Sequence, residues 1–197
     1  MKLIFALLLS LSLFFVSSTP VQAQIDSAAI KQRISSFADS LVRSYYEKDW
    51  NTFIHLTHPG IARLYGGMST YVGIMQGIRA RFEDSLQEKQ EVVNVKQFLF
   101  AGAGFWQCIV ERIRESPING RNAKTWSYMI GQSDDDLGTN WKFFDVGDNL
   151  MINISSIMPD FSNELIVPEK KVVYDDEKAP AATTAAAKPK KKSSTKK

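Results

Sequence analysis

Residues 105–132, FWQCIVERIRESPINGRNAKTWSYMIGQ, decide the fold class. They contain two runs, Phe105 to Arg114 and Ala123 to Gln132, which are rich in β-branched and aromatic residues and have the period of two that is typical of strands. Asn119 and Gly120 lie between the runs, and both residue types tolerate the positive φ angles of a two-residue hairpin turn. The stretch therefore predicts two antiparallel strands joined by a tight turn.

The sheet is expected to extend on both sides of this hairpin. Val92 to Phe100 precedes it and Trp141 to Val146 follows it, and both runs have the composition of strands. Loops rich in glycine or aspartate, residues 101–104 and 134–138, separate them from the hairpin. Met151 to Ile157 is a candidate for a last strand. The second half of the chain therefore predicts an antiparallel meander.

The chain before residue 91 has a helical period instead. Residues 26–47 predict a long helix, and a short second helix is expected after Asp49, ending at residues 58–60. An extended stretch, residues 61–65, leads into a third helix that begins at Ser69 or Thr70. The apolar faces consist of Ile30, Ile34, Phe37, Leu41 and Tyr45 in the first helix, and of Ile74, Ile78, Phe82 and Leu86 in the third.

These helical faces predict the core. We expect Ile34, Phe37, Leu41, Ile78 and Phe82 to face the sheet. Gly73 and Gly77, four residues apart in the third helix, predict close packing of that helix against the sheet. Helices that are followed by a run of antiparallel strands indicate the α+β class.

The N-terminus predicts export. Lys2 precedes an apolar run from Leu3 to Val16, which is too short to span a bilayer, and Val21-Gln22-Ala23 has the pattern of a signal-peptidase site. We expect residues 1–23 to be removed after Ala23, leaving a periplasmic or extracellular protein that begins at Gln24. The alternative is an uncleaved membrane anchor. Residues 24–197 contain no second apolar stretch of membrane-spanning length, so no transmembrane span is expected after cleavage.

The C-terminus has a different composition from the rest of the chain. Residues 24–174 are expected to form one domain, whereas residues 175–197 lack large aliphatic residues and aromatic residues and predict a disordered tail. Seven lysines and no acids lie in residues 178–197, while residues 24–177 hold 16 basic and 21 acidic residues. The body therefore lacks the charge of a specific nucleic-acid binder. The tail is either a charge-driven binder of an anionic envelope component or a spacer.

The order of elements resembles the nuclear-transport-factor-2-like superfamily, which includes ketosteroid isomerases, scytalone dehydratases and polyketide cyclases. The resemblance covers Ile30 to Val146, with local echoes in residues 45–50, in His58-Pro59 and in residues 140–145. It implies a cone formed by helices and a curved antiparallel sheet, with homodimerisation through the sheet. Family enzymes of the isomerase type use an inward carboxylate as base. In the first two long strands, Glu111 is the one carboxylate on an apolar face, beside Phe105 and Ile109, so no equivalent base is assigned.

Aromatic residues are the candidates for a pocket. Tyr45 ends the first helical face, and Trp106, Trp126, Tyr128 and Phe144 lie in strands, where they would line either the core or a ligand pocket. We expect a domain that binds a small apolar ligand or a protein partner, with no cofactor. The alternatives are a lyase or isomerase with a histidine base and a structural envelope protein that acts through its tail.

Three further patterns bear on chemistry. His58 is the candidate general base, and His55 lies three residues before it, which leaves zinc binding as an alternative, although no metal site is expected. Asp136-x-Gly138-x-x-Trp141 resembles an aspartate-box hairpin, with calcium binding by Asp134, Asp135 and Asp136 as the alternative. Cys108, the single cysteine, lies in an apolar stretch and is expected to be buried and unreactive.

Overall fold

The computed structural model describes residues 26–81, 91–102, 104–146 and 153–175. The predicted signal peptide, the cleavage site before Gln24, the predicted core residue Phe82 and the tail after residue 175 lie outside the described residues. None of the helices in the described ranges combines the length and the apolar character that a membrane crossing requires.

Helices precede strands, as the sequence predicts, and the fold belongs to the α+β class. The first four helices are α1 (Ser27–Glu47), α2 (Trp50–Leu56), α3 (Pro59–Leu64) and α4 (Met68–Arg79). The strands and the last helix are β1 (Val92–Phe100), β2 (Trp106–Ile118), β3 (Arg121–Ser133), β4 (Trp141–Asp145), α5 (Ile154–Ile157) and β5 (Lys171–Tyr174).

The strands form one curved antiparallel sheet in the order β1-β2-β3-β4. The edge of β3 that faces away from β2 pairs with β4 along residues 129–133 and with β5 along residues 123–126. The sheet curls into a half-barrel with the helices packed against it. This architecture is compatible with the cone that the resemblance implies.

The hairpin at the centre of the sheet is confirmed. Asn119 has φ 52° and Gly120 has φ 78°, and the ladder between β2 and β3 continues to the pair Ile118 and Arg121. The bounds of β1 are also as predicted, while β2 and β3 extend further towards their shared turn. Local composition was sufficient here because the turn residues fix the register of both strands.

The first helix packs with the predicted face inward. Asp26 caps it by accepting a hydrogen bond from the amide of Ala28 at 2.8 Å. Ile34 and Leu41 are buried, and Phe37 is half-buried against the same core. The prediction for these three residues is confirmed.

The predicted face of the third helix is wrong. Ile74 and Ile78 are 41% and 39% exposed, whereas Tyr71 and Val72 on α4 are buried. The ring of Tyr71 stacks on that of Phe53, with 6.2 Å between the ring centroids. Burying this aromatic surface outweighs burying the isoleucines, since aromatic side chains contribute the largest apolar areas.

Open space lies beside Gly73 and Gly77. Apart from their chain neighbours and the backbone of their own helix, no atom of the described residues lies within 4 Å of the place a Cβ would take at either glycine. The close packing against the sheet that we expected at these glycines is therefore absent from the described parts of the chain. Their side of α4 is exposed.

Two short helices lie where extended structure was expected. Residues 59–64 form α3 because His58 caps its first turn and Pro59, which lacks an amide hydrogen, occupies the first helical position. Residues 154–157 form α5, which Asn153 caps by accepting from the amide of Ser155 at 3.1 Å. The expectations of a stretch at 61–65 and of a last strand over 154–157 are wrong, because side-chain caps decide both segments.

The back of the sheet is covered by the chain after α5. The buried side chain of Gln107 donates to the carbonyl of Asp160 at 2.9 Å and accepts from the amide of Ser162 at 2.8 Å. Gln97 exchanges two hydrogen bonds with the backbone of Ile166. These contacts cover the outer face of β2 along its first half, which is buried. The helices cover the opposite, concave face, and the site lies there.

Candidate functional site

A half-open cavity of about 170 Å³ lies between the concave face of the sheet and helices α1, α2 and α4. The junction of α2 and α3 is fixed to the edge of β4, because the amide of His58 donates to the carbonyl of Phe143 at 2.8 Å. The cavity is lined by Leu41, Val42, Tyr45, Phe53, Thr57, Tyr71, Met75, Arg112, Arg114, Met129, Phe143, Phe144 and Asp145.

Alternation along β2 explains why two arginines reach this cavity. Residues of one parity, including the buried Cys108 and Val110, face the helices, and Arg112 and Arg114 continue the same face toward the hairpin end of the strand. On β4 the same rule places Asp145 on the side of the buried Phe143. The sequence analysis did not identify these charged residues. The available signal was the period of two, which continues from the apolar Cys108 and Val110 to the charged Arg112 and Arg114.

A charged network ties the polar end of the cavity together. The hydroxyl of Tyr46 donates to Oε2 of Glu91 at 2.6 Å, and Nε of Arg112 donates to Oε1 of the same carboxylate. At the other side of its guanidinium, Nη1 of Arg112 donates to Oδ2 of Asp145. The side chain of Glu91 is 3% exposed, so its charge depends on these partners.

The network holds Glu91 ionised. Burial alone would raise the pKa of Glu91, but the charge of Arg112 and the hydrogen bonds from Arg112 and Tyr46 together bring the pKa below its ordinary 4.5. Burial, followed by the negative charge of Glu91, raises the pKa of Tyr46 to about 12. Tyr46 therefore remains a hydroxyl donor at neutral pH, and Glu91 remains an acceptor.

Aromatic rings form the wall beside this network. Tyr45 packs edge-on against Tyr46 and Trp50, with ring centroids 5.6 and 6.1 Å away. Burial raises the pKa of Tyr71, and the nearby charge of Asp145 raises it further. Burial also raises the pKa of Tyr45. Both residues therefore keep neutral hydroxyl groups at neutral pH.

Two of the five aromatic residues predicted for the pocket line the cavity, and three lie elsewhere. Tyr45 and Phe144 line the cavity. Trp106 is buried elsewhere, and its indole nitrogen donates to the carbonyl of Asp136 at 2.8 Å. Trp126 and Tyr128 alternate with Met129, which lines the cavity, and so lie on the other face of β3.

Trp126 has its own surroundings on that outer face. The ammonium groups of Lys124 and Lys171 lie 5.7 and 5.4 Å from the centre of its ring. Glu111 belongs to the same outer face, where it lies near Asn94 and 3.5 Å from Lys96. The carboxylate that the sequence analysis singled out is therefore away from the cavity.

His58 has a structural position at the start of α3. Its Nδ1 accepts from the amide of Gly60 at 3.1 Å, and its ring lies 5.8 Å from that of Phe144. Burial, and next the positive charge of Arg63, lower the pKa of His58 to about 4. The residues that line the cavity include Phe144 but not His58. His58 and the cavity are thus not brought together in the described structure.

The aspartate-rich turn is built as a hairpin cap with a different acid from the one expected. Asp135, rather than Asp136, accepts from the amide of Thr139 at 2.9 Å and from its hydroxyl. Trp141 is buried beneath the turn and donates to the carbonyl of Gly138 at 3.0 Å. No group of three or more histidines, cysteines and acids in the described ranges is arranged to hold a metal ion.

Cys108 is fully buried, and burial raises the pKa of its thiol well above the ordinary value. The expectation of a buried cysteine is confirmed. Its raised pKa keeps the thiol protonated at neutral pH, whereas nucleophilic chemistry requires the thiolate.

No protein-family model, no curated protein and no solved structure matches this chain. The function of the cavity is therefore inferred from its geometry.

Proposed function

We propose that this chain is a small-molecule-binding domain of the nuclear-transport-factor-2-like superfamily and that its ligand occupies the cavity against the concave sheet. The observation that carries the proposal is the composition of the cavity wall. Apolar side chains cover most of it, and the charged or hydroxyl groups belong to β2, β4, two tyrosines and Thr57. A predominantly apolar pocket with a few placed polar groups is the usual form of a ligand site.

The volume of the cavity limits the size of the ligand. An apolar cavity of about 150 Å³ holds one benzene ring, whereas sites for drug-sized molecules start near 300 Å³. At about 170 Å³ this cavity matches a single ring or a short acyl chain. Any larger ligand would project through the open side.

Binding can be tested by filling the cavity from one helix. Met75 lines the cavity, while the preceding residue, Ile74, is 41% exposed. We expect the Met75→Trp variant to lose binding of 2-phenylethanol in ligand-observed NMR. The Ile74→Trp variant adds the same ring on the solvent side and should bind as the wild type does. Equal binding by the two variants would place the ligand outside the cavity.

A proton-transfer enzyme is the second candidate, and the proximity of Asp145 to Tyr71 favours it. A carboxylate base beside a phenolic donor in an apolar cavity suits proton abstraction next to a carbonyl group. Exchange of the α-protons of 2-cyclohexenone in D₂O provides the test. Acceleration by the wild type that is lost in the Asp145→Asn variant would support the enzyme, and exchange at the uncatalysed rate would support the binding domain.

We further propose that the protein acts outside the cytoplasm, as the features of residues 1–23 indicate. Mass spectrometry of the protein from the producing cell should show Gln24 as the first residue, and an intact Met1 would contradict this.

Self-association and binding of the lysine-rich tail to an anionic envelope component are also proposals. Loss of retention on isolated cell envelopes after truncation at Glu177 tests the role of the tail.

A further inference from the structure

The charged end of the cavity indicates what chemical group the ligand carries. Arg112, Arg114 and Asp145 lie there together with the hydroxyl-bearing residues Tyr45 and Tyr71. Four of these five side chains offer hydrogen-bond donors, and one is a carboxylate. The balance between donors and acceptors therefore favours an acceptor-rich group on the ligand.

Asp145 is already engaged by the protein. Its Oδ2 accepts from Nη1 of Arg112, whose Nε is bonded to Glu91. Arg112 thereby balances acids of this network rather than presenting an uncompensated charge. Arg114, two residues further along the same strand face, supplies a second guanidinium to the cavity.

The charges that act on Tyr45 are positive on balance. Among the described residues, the charged side chains that line the cavity or act on Tyr45 are three arginines and two acids: Arg79, Arg112, Arg114, Glu91 and Asp145. Burial raises the pKa of Tyr45, while the three arginines act in the opposite direction. An anion beside Tyr45 and Arg114 would gain from this field, whereas an anion beside Tyr71 would meet the negative charge of Asp145.

We propose that the ligand is a small carboxylate whose charged group is held by Arg114 and the hydroxyl group of Tyr45. Its apolar body lies against Leu41, Phe53 and Phe143. A guanidinium matches the two oxygens of a carboxylate, and a charge-assisted hydrogen bond is stronger than a neutral one. The inference rests on the proposed ligand-binding function and adds the chemical class of the ligand.

Three probes of equal size test the inference with the full chain. Phenylacetate, 2-phenylethanol and 2-phenylethylamine present an anion, a neutral hydroxyl and a cation on the same ring. We expect phenylacetate to bind about 10-fold more tightly than 2-phenylethanol, and the amine to bind most weakly, in NMR titrations at low salt. The preference should decrease as salt is added, because Arg114 is exposed.

Matched variants assign the preference to one residue. Arg114→Gln should reduce the affinity for phenylacetate to about that for 2-phenylethanol. Arg63→Gln, the same change at an exposed position on α3 outside the cavity lining, should leave both affinities unchanged. A preference for phenylacetate that persists in the Arg114→Gln variant would overturn the inference.

The three titrations give different results if only the carboxylate is wrong and if the cavity is not a ligand site. Equal affinity for acid and alcohol, or tighter binding of the amine, would overturn the carboxylate while leaving a ligand site in the cavity. Absence of binding by all three probes would overturn both.

Discussion

Arg112 and Asp145 form an ion pair that passes over the strand between their own two strands. Arg112 belongs to β2 and Asp145 to β4, and β3 lies between these strands. Neighbouring strands are about 4.8 Å apart, so two strands separated by a third are roughly 10 Å apart in a flat sheet. The long arginine side chain and the curvature of the half-barrel close this gap on the concave face. The same guanidinium also binds Glu91, which lies just before β1. It therefore links the β1 side of the sheet to the β4 side.

Arg112 should therefore matter for stability. Replacing it with leucine leaves Glu91 buried without its positive partner, which we expect to cost about 3–5 kcal/mol of unfolding free energy. Arg114→Leu is the matched control, since this neighbour on the same strand face is exposed and should cost about 0.5 kcal/mol or less. Urea unfolding at neutral pH measures both. Similar losses for the two variants would show that the network does not stabilise the sheet.

His58 should make stability depend on pH. Its pKa is lowered from 6.5 to about 4 in the folded chain, so the unfolded chain binds a proton at a higher pH than the folded chain does. The stabilisation is complete above about pH 6.5 and is lost as pH falls through the folded pKa. The midpoint of urea unfolding of the wild type should decrease between about pH 7.5 and about pH 5.

His58→Asn is the control for this titration, because asparagine can still accept at the start of α3 and does not titrate. Its unfolding midpoint should change less over the same pH interval. Parallel pH profiles for the wild type and the variant would exclude His58 as the titrating group.

Two isoleucines test the packing of the helices. Ile34 is 0% exposed, and Ile34→Ala should cost about 2–5 kcal/mol because it removes buried methyl groups and leaves a cavity. Ile78 is 39% exposed, and the same change there should cost about 0.5 kcal/mol or less. Chemical denaturation of the two variants compares them directly. A large loss at Ile78 would show that α4 packs with its other face inward.

Local sequence patterns were sufficient for the central sheet. Asn119-Gly120 predicts the hairpin because its turn requires positive φ at both residues, and the alternation of β1 predicts its bounds. In contrast, the isoleucines of α4 fit a helix whichever side faces the core. The side is decided by contacts between Tyr71 and Phe53, which belong to different helices.

The site was harder to predict than the fold. Trp126 and Tyr128 have the composition of pocket residues, but β3 carries apolar residues on both faces, and composition does not indicate which face is concave. Arg112 and Asp145 are 33 residues apart in the chain, and only the curvature of the sheet brings them together. A charged residue on an otherwise apolar strand face is a local signal for such a site. The sequence does not indicate which distant residue that charge pairs with.

The central claim is that a small carboxylate binds in the cavity, and methionine-methyl NMR of the full chain titrated with phenylacetate tests it most directly. Met75 and Met129 line the cavity, whereas Met158 is buried outside its lining and serves as an internal reference. The account predicts that the methyl signals of Met75 and Met129 shift and saturate together while that of Met158 stays in place. Saturable binding of phenylacetate that leaves Met75 and Met129 unshifted would contradict it.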